Sequence, residues 1–300
     1  MPFPHIALAV LCTIFWGLSF IVIKIGVGTT PPLVMAALRF TLAALPAVFF
    51  IRKPDTSWRI ILAFGFFLGV AQFGLLFAAL ALGMPAGLAS LVMQAQVFFT
   101  ILFAALLMGE RPSASQISGA IIAFGGLALI AWPRLAGSGA VPFAMTVAAS
   151  AAWGVANIVS KKAGRINMLG LIVWSSLVAP IPLLLLALLT DGPTRVLESF
   201  QGLDWPAAGS VAYLAYPATI FAFGMWSYLL SRYPAAVVTP FALLVPITGF
   251  ISAAIFLGER ISLIEEIGAA VILLGLAINL FGARLRQRLS PAGVRAAPKT

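Results

Sequence analysis

Ten apolar runs, each close to twenty residues long and separated by Pro, Gly and charge clusters, dominate this chain. A run of that length is what an α-helix needs to cross the ~30 Å hydrocarbon core of a bilayer. Helices and closed barrels are the only structures that satisfy every backbone polar group there. The runs fall at 5–27, 32–51, 59–82, 86–108, 114–132, 141–162, 168–190, 206–230, 235–257 and 263–282. Composition requires their apolar faces to meet lipid, because 62% of the 300 residues are hydrophobic and only 9% are charged. A soluble domain of this size carries roughly a quarter charged residues, and the mean hydropathy of +1.11 points the same way. The expected fold class is therefore an all-α integral membrane protein of ten transmembrane helices, with no room for a separate soluble domain. No basic segment or small-residue cleavage site accompanies the first run, so it is expected to remain a helix and not to act as a signal peptide.

Several chemistries are excluded at once. The only cysteine, Cys12, allows no internal disulfide or cysteine-based metal site. The only histidine, His5, lies at the extreme N-terminus, which removes histidine-ligated zinc and a buried Ser-His-Asp triad. No cofactor or metal is expected. The net charge of +10 is dispersed among apolar segments, which fits membrane topology and not nucleic-acid binding. With the N-terminus inside, the inner segments carry Arg52, Lys53, Arg59, Arg111, Lys161, Lys162, Arg165, Arg232 and the basic residues of 284–300. The outer ends carry Lys24, Arg134, Arg195 and Arg260, so the balance is thirteen to four. Both termini are expected to be cytoplasmic.

Internal repetition decides the architecture. Residues 84–130 align without gaps on 233–279 at an offset of 149. Met84-Pro85-Ala86 matches Tyr233-Pro234-Ala235, Gly109-Glu110-Arg111 matches Gly258-Glu259-Arg260, and Gly119-Ala120 with Gly126-Leu127-Ala128 match Gly268-Ala269 with Gly275-Leu276-Ala277. Trp16-Gly17 with Lys24 is mirrored by Trp153-Gly154 with Lys161, and Pro46 by Pro182. Five spans per half is an odd number, so the second half enters the membrane from the opposite side. That 5+5 inverted-topology repeat is the usual construction of a secondary transporter with its site between the halves. The expected division is a first half over 1–135, an inverted second half over 136–283, and a polar, disordered basic tail over 284–300.

Polar and aromatic side chains inside spans mark the candidate site, because they are costly against lipid. The first span offers Trp16, Ser19 and Phe20; its mirror offers Trp153 and Asn157, which share a helical face at i, i+4 spacing. Gln72 lies in the third span, and Gln94 and Gln96 in the fourth, where two residues apart they cannot face the same way. One of that pair is expected to be structural. The mirror stretch from Pro240 to Pro246 carries two prolines and is expected to be broken, freeing carbonyls. Trp174 in the seventh span and Tyr216 in the eighth complete the aromatic candidates. Arg39 is the charge clearly within a span; it either neutralises a substrate carboxylate or bonds within its bundle. Lys24 and Lys161 are expected to snorkel, the Gly-Glu-Arg sites to be helix-end turns, and the Gly65–Gly69 small-residue face to pack internally. No carboxylate lies at a predicted midplane, so the simplest mechanism is alternating access without an acid-based proton relay. An intramembrane enzyme would need a deep base or metal-binding acids, and none is present.

These features together resemble the drug/metabolite transporter superfamily, EamA type. The stretch Gly83-Met84-Pro85-Ala86-Gly87-Leu88-Ala89-Ser90-Leu91-Val92-Met93-Gln94-Ala95-Gln96, followed by Phe98-Phe99-Thr100-Ile101, is similar to bacterial inner-membrane amino-acid exporters of that group. So are Pro31-Pro32-Leu33 with Arg39-Phe40, and Leu243-Leu244-Val245-Pro246. The resemblance spans residues 5–282. It implies a ten-helix basket whose central cavity is lined by the first, third, fourth, sixth, eighth and ninth spans. It also implies export of neutral amino acids or their metabolites across the bacterial inner membrane: aromatic, cysteine/O-acetylserine or threonine-like; a monomer is expected. Export of another small organic solute, a drug-like cation or a sugar derivative, is the alternative.

Overall fold

The computed structural model describes residues 1–135, 139–164, 166–260 and 262–289, with the side chains of all of these except 135, 235, 236 and 283–289. Arg165 and residues 290–300 of the expected tail lie outside the described residues. Every described element is helical. Nine helices are long and apolar enough to cross a membrane: Phe3–Gly26, Pro32–Phe49, Trp58–Ala81, Ala86–Met108, Ala114–Arg134, Ala140–Lys162, Trp205–Arg232, Thr239–Leu257 and Leu263–Gly282. A tenth span, the seventh in chain order, is formed by Met168–Ser176 and Pro180–Thr190, bent by 40° at their junction. Ten crossings return the chain to the side on which it began, so Met1 and Leu289, the first and last described residues, share one end of the bundle, called here the terminal end.

The structure differs from expectation at several points. The last helix runs through Leu289, so residues 284–289 continue it and do not begin a disordered tail. The seventh span is bent where Ala179 leads into Pro180, and the second ends its α-helix at Ala44, just before Pro46; each proline lacks the N–H that would carry the helix on. A short helix, Pro193–Gln201, occupies the connection before the eighth span. The ninth span is tightened and not unwound at its prolines: Ala235–Val238 passes into a 3₁₀ turn over Thr239–Leu243 and then into Leu244–Leu257. The fourth span does the same at the equivalent place, with 3₁₀ over Met93–Ala95.

Two π-helical stretches also obey the duplication. Gly65–Phe73 in the third span and Tyr216–Phe221 in the eighth occupy equivalent positions. In the third span the wide turns let Gly65 and Gly69 press on the seventh: a Cβ there would lie 2.5 Å from the Ser175 carbonyl and 2.6 Å from Ala179 Cβ. The small-residue face therefore packs within the bundle.

The fifth and tenth spans form the tightest seam. A Cβ at Gly119 would lie 2.6 Å from the Gly275 carbonyl and one at Gly126 2.7 Å from that of Gly268; the reverse pairs lie at 2.6 and 2.9 Å. Because Gly119 and Gly268 are equivalent, as are Gly126 and Gly275, these reciprocal contacts place the pseudo-twofold axis between the two helices. Both spans open with the same cap: Ser113 and Gln116, like Ser262 and Glu265, each bond the other's backbone amide. The Gly-Glu-Arg sites are helix ends, as expected. Gly109 and Gly258 adopt left-handed φ of 68° and 62°, and the next amides reach back to Ala104 and Ala253.

Candidate functional site

Where the halves face each other, the fourth and sixth spans supply an uncharged polar cluster. Asn157 Nδ2 donates to Gln96 Oε1 at 2.7 Å and to Thr100 Oγ1 at 3.0 Å. Thr100 stands one turn beyond Gln96 and anchors itself on the Gln96 carbonyl, so one face of the fourth span presents both groups. All three side chains are partly exposed. Asn157 Oδ1 and Gln96 Nε2 have no protein partner among the described residues, leaving one acceptor and one donor side by side. Trp153 stands one turn before Asn157, partly buried and packed against both main apolar clusters.

The first and eighth spans supply the aromatic counterpart. Trp16 Nε1 donates to the Ala218 carbonyl at 3.0 Å, within the eighth span's π stretch, where backbone carbonyls are displaced from regular helical bonding. Its ring meets Phe223 at 5.0 Å and Trp226 at 5.2 Å. Ser19 turns back onto the Phe15 carbonyl, while Phe20 is buried in the core. Sequence reasoning missed Thr100, Phe223 and Trp226. The i, i+4 step from Gln96 to Thr100 was available as a signal; the two aromatics in an aromatic-rich span were not.

None of the remaining candidates bonds to this cluster. Gln94, on the other side of the fourth span from Gln96, is buried and donates to the Ala242 carbonyl at 3.5 Å. It thereby fastens the fourth span to the 3₁₀ turn of the ninth. Gln72 is buried with its Oε1 unpartnered. Arg39 is 4% exposed, with its guanidinium 3.7 Å from the Phe73 ring centroid and 5.0 Å from that of Phe40. Its Nη2 donates to Thr219 Oγ1, which in turn donates to the Leu214 carbonyl five residues back; Nε and Nη1 have no partner. Aromatic faces thus take the place of a counter-ion. Trp174 donates to the Ile51 carbonyl and meets Trp58 at 5.9 Å, pinning the link between the second and third spans at the terminal end. Tyr216 is 44% exposed and lines an apolar groove with Leu11, Phe15, Leu169 and Phe221, between the first, seventh and eighth spans.

The lysines do more than snorkel. Lys24 Nζ donates to the carbonyls of Leu80 and Met84, at the end of the third span, and Lys161 pairs with Glu110 at 2.5 Å. All eight carboxylates of the chain lie in connections, in the short helix Pro193–Gln201, at a helix cap or in the first turn of the last helix. Among the described residues no group of His, Cys, Asp and Glu could hold a metal ion.

Comparison with known proteins decides the family. The EamA-like transporter family matches residues 4–132 and again 141–281, one match for each half of the duplication. The chain belongs to the EamA-like transporter family. It is accordingly a multi-pass membrane transporter. It is 41% identical to a protein of Escherichia coli (strain K12) over 93% of this chain and 96% of that one, and 40% identical to a protein of Salmonella typhimurium over 95% and 98%. Both bear the name "Probable amino-acid metabolite efflux pump". An "Uncharacterized inner membrane transporter" of Escherichia coli (strain K12), YedA, is 26% identical over 90% of this chain and 88% of its own. A crystal structure 20% identical in sequence shares the fold, with a TM-score of 0.62 over 97% of this chain and 99% of that one.

Proposed function

We propose that this EamA-family transporter exports neutral amino acids or their metabolites across the bacterial inner membrane by alternating access, with both termini cytoplasmic. The observation that carries this reading is the Asn157–Gln96–Thr100 cluster. A free carboxamide oxygen and a free amide N–H₂ standing together suit the ammonium and carboxylate of a zwitterion without placing a net charge at mid-membrane. Trp16, Phe223, Trp226 and Trp153 offer the apolar surface that an amino-acid side chain needs. Support comes also from the two relatives near 40% identity, named as efflux pumps for amino-acid metabolites. A drug-like cation would gain from an intramembrane carboxylate, and the chain has none at that depth. The balance of Lys and Arg between the two ends supports the orientation.

With no carboxylate or histidine in the middle of a span, coupling to protons has no carrier there, and the chain works as a facilitator or exchanger. The test is uptake into proteoliposomes of the purified protein, using a panel of labelled neutral amino acids with and without an imposed pH gradient. Saturable uptake of at least one of them, unchanged by the gradient, is expected. A strict requirement for the gradient would overturn the uncoupled mechanism, and no uptake across the panel would overturn the substrate class.

A further inference from the structure

The duplication turns each contact at one end of the bundle into an expectation for the other. At the far end, four hydrogen bonds gather at the seam: the two made by Lys24 lie within the first half, and the two made by Glu259 join the second half to the first. Lys24 Nζ donates to the carbonyls of Leu80 at 2.8 Å and Met84 at 3.0 Å. The Glu259 carboxylate accepts from the amides of Ala86 at 2.7 Å and Gly87 at 3.0 Å. The first amides of the fourth span have no partner within their helix, and the Leu80 and Met84 carbonyls lie at the end of the third span and in the link that follows it. A lysine and a carboxylate bring charges of the matching sign to those termini.

The equivalent residues at the terminal end are Lys161 and Glu110, with Leu229, Tyr233, Ala235 and Ala236 as the equivalent backbone partners. Here Lys161 and Glu110 instead bond each other at 2.5 Å, their side chains 49% and 44% exposed. Backbone cover differs in the same sense. Every residue of Ala86–Val92 is buried, whereas only Val238 is buried across the equivalent stretch 237–241. The far end is covered more tightly than the terminal end, where one exposed ion pair joins the halves.

We propose that Glu110 and Lys161 are the gate of the terminal-end mouth. When that mouth closes they part, Glu110 accepts from the amides of Ala235 and Ala236, and Lys161 donates to the carbonyls of Leu229 and Tyr233. At the same moment Lys24 and Glu259 leave their helix ends at the far side. Each state then has one sealed end and one loosened Lys–Glu couple, so the charge-assisted bonds lost at one end are replaced at the other. The two states differ little in free energy, which is the condition for alternation. The gate deepens the transport reading and rests on it for its purpose, but it is measurable without a substrate.

The test places reporter cysteines at equivalent positions, Leu88→Cys at the far end and Val237→Cys at the terminal end, in a Cys12→Ala background. Leu88 is fully buried and Val237 is 42% exposed. Labelling by a membrane-impermeant maleimide in detergent reads which mouth is open. The parent is expected to label at Val237→Cys and to be protected at Leu88→Cys. Glu259→Ala, which loosens the far seal, is expected to raise Leu88→Cys labelling at least about fivefold, the change that about 1 kcal/mol produces. Adding Glu110→Ala, or separately Lys161→Ala, is expected to restore protection, because the far end opens only when the terminal gate can close. If Glu259→Ala does not elute as a monodisperse protein, Lys24→Ala takes its place. Leu88→Cys labelling that stays low when the far seal is loosened, or stays high after Glu110→Ala is added, would overturn the gate. Failure of amino-acid uptake would remove the proposed substrate and leave this labelling result standing.

Discussion

At the scale of single residues, the structure separates polar groups that stand in open space from those that hold helices together. Gln94 and Gln96 are two positions apart and do opposite things. Gln94 is consumed by the Ala242 carbonyl, while Gln96 keeps its amide N–H₂ free beside Asn157. Sequence alone showed that one had to be structural, from the 200° between them on a helix, but not which. That choice depends on where the ninth span tightens into its 3₁₀ turn. Arg39 was equally undecided in sequence; in the structure aromatic rings and Thr219 surround its guanidinium, and it makes no bond to the Asn157 cluster. The expected kinetics follow. Under the proposed function, Asn157→Ala and Gln96→Ala each remove a hydrogen bond to a charged group of the substrate, worth about 1.5–3 kcal/mol. Each is expected to lower kcat/KM for uptake by roughly 10–100-fold. Arg39→Met keeps the volume and removes a buried charge without a carboxylate partner, an exchange that is often neutral or stabilising. It is expected to leave KM within about twofold, as measured by initial uptake rates on the same preparations. A loss of affinity in Arg39→Met with unchanged Asn157→Ala would invert the assignment.

At the scale of elements, the ten spans and the Gly-Glu-Arg helix ends were legible because they follow from hydrophobic length and from local chemistry. The left-handed Gly109 and Gly258 are written in four or five consecutive residues. The π stretches were not legible, since no run of residue types distinguishes them from an ordinary helix. Nor was the 40° bend of the seventh span, which Pro180 and Pro182 permit without requiring. Close helix contact gives an internal control in neighbouring glycines. A Cβ at Gly126 would lie 2.7 Å from the Gly268 carbonyl, whereas Gly125 faces open space. Gly126→Ala is expected to destabilise by about 1–3 kcal/mol through overpacking of backbone on backbone. Gly125→Ala is expected to be neutral or slightly stabilising, because alanine favours the helix by up to about 1 kcal/mol. Heating in detergent followed by size-exclusion recovery compares the two. Equal loss in both would show that the fifth and tenth spans do not meet at this seam.

At the scale of the whole molecule, the duplication was the most legible property and the difference between its halves the least. Gly-Glu-Arg reads the same at 109–111 and 258–260, yet Glu259 binds the start of the fourth span while Glu110 binds Lys161. A sequence specifies both ends with one motif, and only a conformation breaks the symmetry. Alternation between two such conformations has a direct signature in flux. Proteoliposomes loaded with a saturating unlabelled neutral amino acid and diluted into a trace of the labelled one test it. An alternating carrier returns with label bound while the unlabelled load leaves, so transient accumulation of label above the external concentration is expected, without any pH gradient. Label that rises only to equality with the outside, at a rate indifferent to the internal load, would contradict transport by an alternating site.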